Sequence, residues 1–349
     1  MQTLPAARWS CHGCGACCRE FRLGPVEPEV VAALTSAGAA TLAGCEDWVV
    51  REPGPGGEVG WFLRHRDGAC VFLLPDNRCV IHAELGAEAK PGFCQEFPFR
   101  RLRDPNGEIL MIRASCAGFH ASSVTGEPLA EQIVAFSTLP RLGPPAVFAP
   151  DAVAILPGAG VGLADWMRLE GALLRRWQQV DAGVQEPEDT ARQLMIAATD
   201  ALGRTLPAGR YRLAADAVRE GMRLVVNAAI TQESGETEAW QRSLVRDVLR
   251  ILDANGERRP LAVDARRYLH LLLGQALLGK QVVAAGSLAA LFGRFVFELD
   301  LVRTSPGEGP VDAASASAVL VPWLRFSENP MVTAMLRRAA PALVELASG

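Results

Sequence analysis

Three absences narrow the class of protein that this sequence encodes. The net charge is −4, so no basic excess is available to neutralise phosphates, and we expect no nucleic-acid partner. No apolar run reaches the roughly 18 to 20 residues that a bilayer span requires. The longest candidate, residues 282–293, lies between Lys280 and Arg294. The N-terminus also lacks the apolar segment of a secretory signal, and we therefore expect a soluble, cytoplasmic protein without a membrane partner.

Cysteine is missing from most of the chain, and this asymmetry is the most informative feature of the composition. The sequence has 349 residues and nine cysteines, and every cysteine lies at or before Cys116. Four of the five histidines lie in the same N-terminal region. In a secreted protein such a density would indicate a disulfide framework. Without an export signal, it favours a metal site or a redox site.

Length and composition indicate two domains. The chain is longer than a domain with a single hydrophobic core usually is. A Pro/Gly-rich connection at 139–162 predicts a boundary, with a cysteine-containing module at 1–138 before it and a helical domain at 163–349 after it. The predicted fold class is α+β, mainly α, in which a small metal-binding module precedes an all-α domain.

The module contains short, turn-rich elements. A brief helix is predicted after Pro28, and strands are predicted at Trp61–Leu63, Val71–Leu74 and Ile109–Ile112. The first two strands would be joined through a turn at Asp67-Gly68. The module is small and has few long apolar stretches. Bound metal would therefore contribute to its folding free energy.

Helical periodicity dominates the rest of the chain. Trp166, Leu173 and Trp177, for example, share one face of a helix predicted over residues 163–180. Roughly seven helices are predicted, separated by turn-forming residues near 183–187, 206–209, 255–260 and 305–310.

The first cysteine motif places four thiols within eight residues, at Cys11, Cys14, Cys17 and Cys18. Thiolates are the ligands that zinc and iron–sulfur iron prefer. The spacing matches the opening of the bacterial ferredoxin run, but Phe21 stands where the fourth cysteine of that run would lie, which disfavours a plain ferredoxin. A distal set would supply further ligands, so the candidate metal ligands are Cys11, Cys14, Cys17, Cys18, Cys70, Cys79, Cys94 and Cys116.

The sequence resembles the YkgJ-like family of zinc- or iron-chelating proteins that is known by its CxxCxxCC signature. The N-terminal CHGCGACC carries the first half of the resemblance, and a second motif follows at residues 70–99. Cys116 in SCAGF corresponds to a further cysteine that commonly follows the second motif. The resemblance implies metal binding, and covers about residues 9 to 118. The residues that match the second motif are Cys70, Phe72, Leu73, Cys79, Ile81, His82, Lys90, Pro91, Cys94, Phe97 and Pro98.

An alternative function comes from a more distant resemblance to flagellin lysine-N-methylases. These enzymes also combine a cysteine module with a helical region, and the IHAELG stretch at 81–86 is similar to theirs. Their first cysteine motif is usually more widely spaced than the one here. The resemblance implies a protein or peptide substrate and S-adenosylmethionine as methyl donor. The sequence does not identify the oligomeric state.

Several residues have a simpler structural interpretation. We expect Cys45, outside both motifs, to be a small buried apolar residue. His82 could ligate metal, although a hydrogen-bonding role is favoured, and His12 is expected beside the ligands or exposed. The glycines at 158–162 superficially resemble a nucleotide loop, but no second strand follows at the required distance, so a linker is favoured. A four-ligand site built only from the first motif would leave the thiols of the second motif unexplained. We therefore predict that the two motifs meet in space, with at least two sulfurs of the distal set within about 4 to 7 Å of the first cluster.

Overall fold

The computed structural model of the chain describes residues 1–54, 58–138, 143–203, 211–231 and 239–348. Helices dominate it, and the strands are short and lie before residue 163, which confirms the α+β, mainly α fold class. Within these ranges, every helix is too short or too polar to cross a bilayer.

The elements follow one another in this order. The strands are β1 (Arg8–Trp9), β2 (Val49–Pro53), β3 (Val59–Leu63), β4 (His65–Arg66), β5 (Ala69–Cys70), β6 (Phe99–Asp104), β7 (Gly107–Ile112), β8 (Glu127–Pro128), β9 (Ala146–Val147), β10 (Ala152–Leu156) and β11 (Ala159–Gly162). The N-terminal helices are α1 (Pro28–Ser36), α2 (Ala39–Ala43), α3 (Val80–Leu85), α4 (Gly92–Glu96), α5 (Phe119–Thr125) and α6 (Leu129–Ser137), with 3-10 turns at Ala16–Cys18 and Ala87–Ala89. The C-terminal helices are α7 (Leu163–Gln178), α8 (Pro187–Asp200), α9 (Tyr211–Thr231), α10 (Ala239–Asp253), α11 (Val263–Leu278), α12 (Gln281–Ala285), α13 (Leu288–Arg303), α14 (Ala313–Ser327), α15 (Pro330–Arg338) and α16 (Ala340–Ser348).

Local sequence signals account for most of the N-terminal elements. Helix α1 begins at Pro28, whose fixed φ suits the first helical turn. Asp67 and Gly68 both have positive φ (54° and 79°) and form the two-residue turn between β4 and β5. The strands predicted at Trp61–Leu63 and Ile109–Ile112 lie within β3 and β7 and are confirmed.

The strand predicted at Val71–Leu74 is wrong. The chain turns at Val71 and Phe72, and only Leu73 makes a bridge, which pairs it with Cys79. The ring of Phe72 is buried in an edge-to-face contact with Trp48. Burial of this ring therefore overrides the strand preference of the apolar run.

Two hydrophobic cores are present among the described residues. The smaller lies between Leu23 and Cys94 and is centred on side chains such as Val30 and Phe72. The larger runs without a break from the β6–β7 hairpin and α5 into the C-terminal helices. The boundary predicted at residue 138 therefore does not separate the two cores. Folding of residues 1–138 as an independent domain stays a prediction.

The segment predicted as a linker contains a β-hairpin. β10 and β11 pair antiparallel, with Gly158 (φ 73°) in the turn between them, and Val153 is buried against the helices. A Cβ at Gly160 would lie 2.9 Å from the carbonyl oxygen of Val153, so close strand pairing requires glycine there. The glycines thus shape a hairpin. Residues 139–142 of the predicted linker lie outside the described residues.

The C-terminal region has ten helices among the described residues, where roughly seven were predicted. The additional breaks include Lys280 (φ 54°) and Gly286 (φ 92°), which flank the short helix α12 in left-handed conformations. Ser287 then caps α13 by accepting a hydrogen bond from the Ala290 amide at 3.1 Å. The break predicted near 206–209 lies outside the described residues.

A buried ion-pair cluster joins β6 to the C-terminal helices. The Lys280 ammonium lies 2.9 Å from an Asp104 carboxylate oxygen and also pairs with Glu170 on α7. The side chains of all three residues are at most 4% exposed. Burial raises the pKa of Glu170 to about 7, and the Lys280 charge offsets part of that effect.

Replacing Lys280 with Met should destabilise the protein by about 3–5 kcal/mol, because Asp104 would remain buried without a cation. Met keeps the length and the apolar stem of lysine, so packing changes little. Urea denaturation followed by tryptophan fluorescence measures the effect. Arg168→Met, on the exposed face of α7, is the control and should change stability by less than about 0.5 kcal/mol. Equal stability of the two variants would contradict a structural role for the cluster.

Glu170 should also make stability depend on pH. A carboxyl whose folded pKa is raised binds its proton more tightly in the folded state, so its contribution is present below pH 4.5 and is lost as the pH rises through about 7. Glu170→Gln removes this titration, so the stability of the wild type relative to the variant should fall by up to about 3 kcal/mol across that window. Unfolding curves at several pH values test it, and parallel profiles would refute it.

Candidate metal centre

The eight cysteines of the two motifs line a single cavity. Its volume is about 800 Å³, and its walls are mostly apolar, with aromatic side chains such as Phe21 and Phe97 between the thiols. Cys45 does not line this cavity and packs beside the smaller core, but it is half-buried, where full burial was expected. The structure therefore places both motifs on one cavity, while the sharing of one metal by sulfurs of both motifs stays a prediction. The cysteines are Cys11, Cys14, Cys17, Cys18, Cys70, Cys79, Cys94 and Cys116.

Two glycines shape the first motif. Gly13 and Gly15 have positive φ angles (61° and 67°), which glycine adopts without steric cost. Gly15 precedes the 3-10 turn Ala16–Cys18, and a Cβ at this position would also lie 3.0 Å from Oδ1 of Asn77. The CxxCxxCC spacing thus contains the residues that let the chain turn tightly enough to present successive thiols to one cavity.

Hydrogen bonds from outside the motif hold this loop. His12 and Ser122 on α5 lie 3.1 Å apart (Nε2 to Oγ), and the Ser122 hydroxyl donates to the Ser10 carbonyl at 2.7 Å. Arg19 donates to the Cys14 carbonyl at 3.2 Å and to Asn77 Oδ1 at 2.6 Å. Because Asn77 lies two residues before Cys79, the arginine ties the first motif directly to the second.

Each cysteine of the second set lies at the end of an element or on a very short helix. Cys70 ends β5, Cys79 immediately precedes α3, and Cys94 lies within the five-residue helix α4. Cys116 lies between β7 and α5. The segment before α4 is fixed by Gln95, whose side-chain amide donates to the carbonyls of Glu88 (3.2 Å) and Lys90 (2.7 Å).

The protonation of the thiols follows from burial and from one sulfur–sulfur contact. Cys17 and Cys18 have sulfurs 3.8 Å apart, and the hydrogen bond from Cys18 lowers the pKa of Cys17 to about 6 while raising the pKa of Cys18. Burial raises the pKa of Cys70 to about 12 and that of Cys116 to about 11. It also raises the pKa of Cys94. Metal binding by the thiols with raised pKa values would therefore release protons, whereas Cys17 is already mainly a thiolate at neutral pH.

The C-terminal helices contribute a guanidinium to the cavity. Arg325 on α14 is 93% buried at its side chain, forms an ion pair with Glu20 and lies 4.9 Å from the ring centroid of Phe21. Its Nε donates to the Ser115 carbonyl at 3.1 Å, and Nη2 has no hydrogen-bond partner in the described part of the chain. Burial lowers the pKa of Arg325 to about 10, and the nearby Cys14 sulfur offsets part of the shift.

The charged lining is mainly basic. Arg22, Lys90, Arg113 and Arg325 line the cavity, against the two carboxylates Glu96 and Glu328. The positive charge of Lys90 also favours the thiolate forms of Cys17 and Cys94. This balance suits a cluster of thiolates, whose negative charge would otherwise be costly to gather in one place.

The thiols surround the cavity without forming a complete coordination sphere. In the ranges that the structure describes, no three Cys, His, Asp or Glu side chains converge closely enough to hold one ion. His12 and His82 both border the cavity and are exposed. The assignment of individual cysteines as ligands stays a prediction.

Sequence reasoning missed three residues that organise this site: Arg19, Asn77 and Arg325. Arg325 lies more than 200 residues from the nearest cysteine, in a region without any motif. The Arg19–Asn77 pair had only one local signal, the turn-forming Asp76-Asn77 sequence, where Asn77 adopts a φ of 67°.

Comparisons with known proteins agree with this site. Residues 10–117 match the family model CxxCxxCC, described as a "putative zinc- or iron-chelating domain". Over this N-terminal third, the family resemblance is confirmed, and the C-terminal helices lie outside the match.

The chain is also similar to an individual protein. Over 78 residues the chain is 35% identical to an uncharacterized protein of Methanocaldococcus jannaschii. The aligned part spans 22% of this chain and 28% of that protein. No solved structure matches the chain significantly.

Proposed function

We propose that this protein binds metal through its motif cysteines in a centre that contains more than one metal ion. The observation that carries the proposal is that all eight motif cysteines, and not Cys45, line the same cavity. The matched family supports zinc or iron as the metal. Thiolates bind both well, because zinc and iron–sulfur iron prefer sulfur ligands.

The number of thiols and the size of the cavity favour a polynuclear centre. Four thiolates complete one tetrahedral zinc site with Zn–S bonds near 2.3 Å, or one cubane iron–sulfur cluster. Eight thiols exceed either need. A cavity of about 800 Å³ is also far larger than the space enclosed by four ligands around one zinc ion. A pair of zinc ions or more than one iron–sulfur cluster would use these thiols more fully.

The charge of the cavity argues against an amine-bearing substrate. An enzyme that methylates lysine would attract its substrate with carboxylates, yet the lining carries four basic side chains and two acidic ones. The glycines at 158–162 form the turn and second strand of a hairpin, so they do not provide an S-adenosylmethionine loop. The methylase function implied by the distant resemblance has no specific support from these residues.

Anaerobic purification followed by elemental analysis should find at least two metal ions for each chain. Iron with an equal amount of acid-labile sulfide and a brown chromophore would identify an iron–sulfur centre, because the cluster carries its own sulfide. Colourless protein with two zinc ions would identify a zinc–thiolate centre. A single metal ion for each chain would contradict the polynuclear proposal.

Serine substitutions test the ligand assignment. Cys14→Ser and Cys94→Ser should each lower the metal content, since a neutral hydroxyl binds these metals far less well than a thiolate. Because the metal contributes to folding, both variants should expose residues 1–120 to faster hydrogen exchange, while the C-terminal helices retain most of their protection. Cys45→Ser is the matched control and should keep its metal. Equal metal content in all three variants would remove the assignment.

A further inference from the structure

A second cleft lies where the β6–β7 hairpin meets the C-terminal helices. Its volume is about 350 Å³, which is within the range of small-molecule sites. Buried apolar side chains form its walls, among them Met111, Leu272, Leu291 and Phe295. No cysteine lines it, although Arg113 and Glu328 border both this cleft and the thiol cavity.

The cleft contains a buried amide that the protein leaves unpaired. Gln275 on α11 lines the cleft and is only 4% exposed. Neither its side-chain oxygen nor its nitrogen has a hydrogen-bond partner in the described part of the chain. Burying such a group without partners is costly, because its interactions with water are lost. A ligand that offers one acceptor and one donor would satisfy both atoms.

Basic side chains border the same cleft. The guanidinium of Arg100 makes no hydrogen bond or ion pair with any described residue. Burial and the neighbouring charge of Arg113 lower its pKa, and the charge of Glu328 offsets part of that shift. The carboxylates that border the cleft are already engaged. Glu298 accepts hydrogen bonds from Arg294 (2.8 Å) and from Trp323 (3.0 Å).

The remaining carboxylate, Glu328, is also engaged. It accepts a hydrogen bond from the Ser115 hydroxyl at 3.0 Å and lies 3.9 Å from the Arg113 guanidinium. The cleft therefore presents a basic edge, a buried amide and aliphatic walls.

We propose that this cleft binds a small carboxylate that carries an amide group and an apolar side chain, as in an N-acyl amino acid or the C-terminal residue of a peptide. Arg100 and Arg113 bind the carboxylate. The side-chain oxygen of Gln275 accepts from the amide N–H of the ligand, and its side-chain nitrogen donates to one oxygen of the ligand carboxylate. Met111 and Phe295 contact the side chain. The inference does not depend on the identity of the metal, because the thiols take no part in it.

Calorimetric titration of the full-length protein with N-acetyl-leucine tests the proposal. Two matched probes isolate the contacts: N-acetyl-leucinamide lacks the carboxylate, and 4-methylpentanoate lacks the amide. Each of these two probes should bind at least about tenfold more weakly than N-acetyl-leucine, because it lacks the hydrogen bonds of either the carboxylate or the amide. Equal binding of all three probes, or no binding of N-acetyl-leucine at millimolar concentration, would overturn the proposal.

Variants separate a binding role from a structural one. Gln275→Leu should weaken N-acetyl-leucine binding about tenfold or more while stability stays equal or rises, because the variant removes an unpaired buried amide. Arg100→Gln, at an exposed position, should weaken binding with little effect on stability, and Arg168→Gln should change neither. Unaltered binding in Gln275→Leu would refute the site.

A pentapeptide with a blocked N-terminus and a C-terminal leucine tests the source of the ligand. Binding at least as tight as that of N-acetyl-leucine would identify a polypeptide C-terminus as the occupant. Much weaker binding of the pentapeptide would identify a free N-acyl amino acid.

Discussion

The gathering of eight thiols on one cavity is the constraint on which the N-terminal part of the structure depends. In the first motif, glycines in the left-handed conformation turn the chain so that its thiols reach the cavity. In the second motif, the cysteines reach the cavity from the ends of short elements or from a very short helix. Between them, residues 23–94 build a core that is too small to supply much stability alone. A metal bound by the thiols would add free energy that so small a core lacks.

Buried charge fixes how the two parts of the chain meet. Lys280 pairs with Asp104 of β6, and Arg325 pairs with Glu20 close to the first motif. In both pairs, a cation from the C-terminal helices meets a carboxylate from the N-terminal part. The Lys280–Asp104 pair is fully buried, whereas the Glu20 side chain is 42% exposed and only Arg325 is buried in the second pair. Buried ion pairs add little net stability, but removing the partner of a buried charge is costly. The two pairs therefore favour one arrangement of the parts over others that would bury the same apolar surface.

The sequence was sufficient to predict features that depend on nearby residues. The turn at Asp67-Gly68 and the start of α1 at Pro28 follow from local chemistry. The placement of both cysteine motifs on one cavity was predicted from the ligand chemistry of thiols, because the motifs are far apart in sequence. The strand at Val71–Leu74 failed because burial of Phe72 decided the local conformation. Arg325 and Glu170 could not be identified as important, since each depends on partners far away in the chain. Lys280 looked like the polar end of an apolar run, although it is buried between two carboxylates.

Helix α14 and the residue that follows it connect the thiol cavity with the rest of the protein. Ser115, the residue before Cys116, is held at its carbonyl by Arg325 and at its hydroxyl by Glu328. The Cys116 amide in turn donates to the Arg113 carbonyl at 3.0 Å. Arg113 and Glu328 line both the thiol cavity and the cleft beside α11. A shift of α14 would therefore move the Cys116 segment, so the C-terminal helices are a structural part of the thiol site.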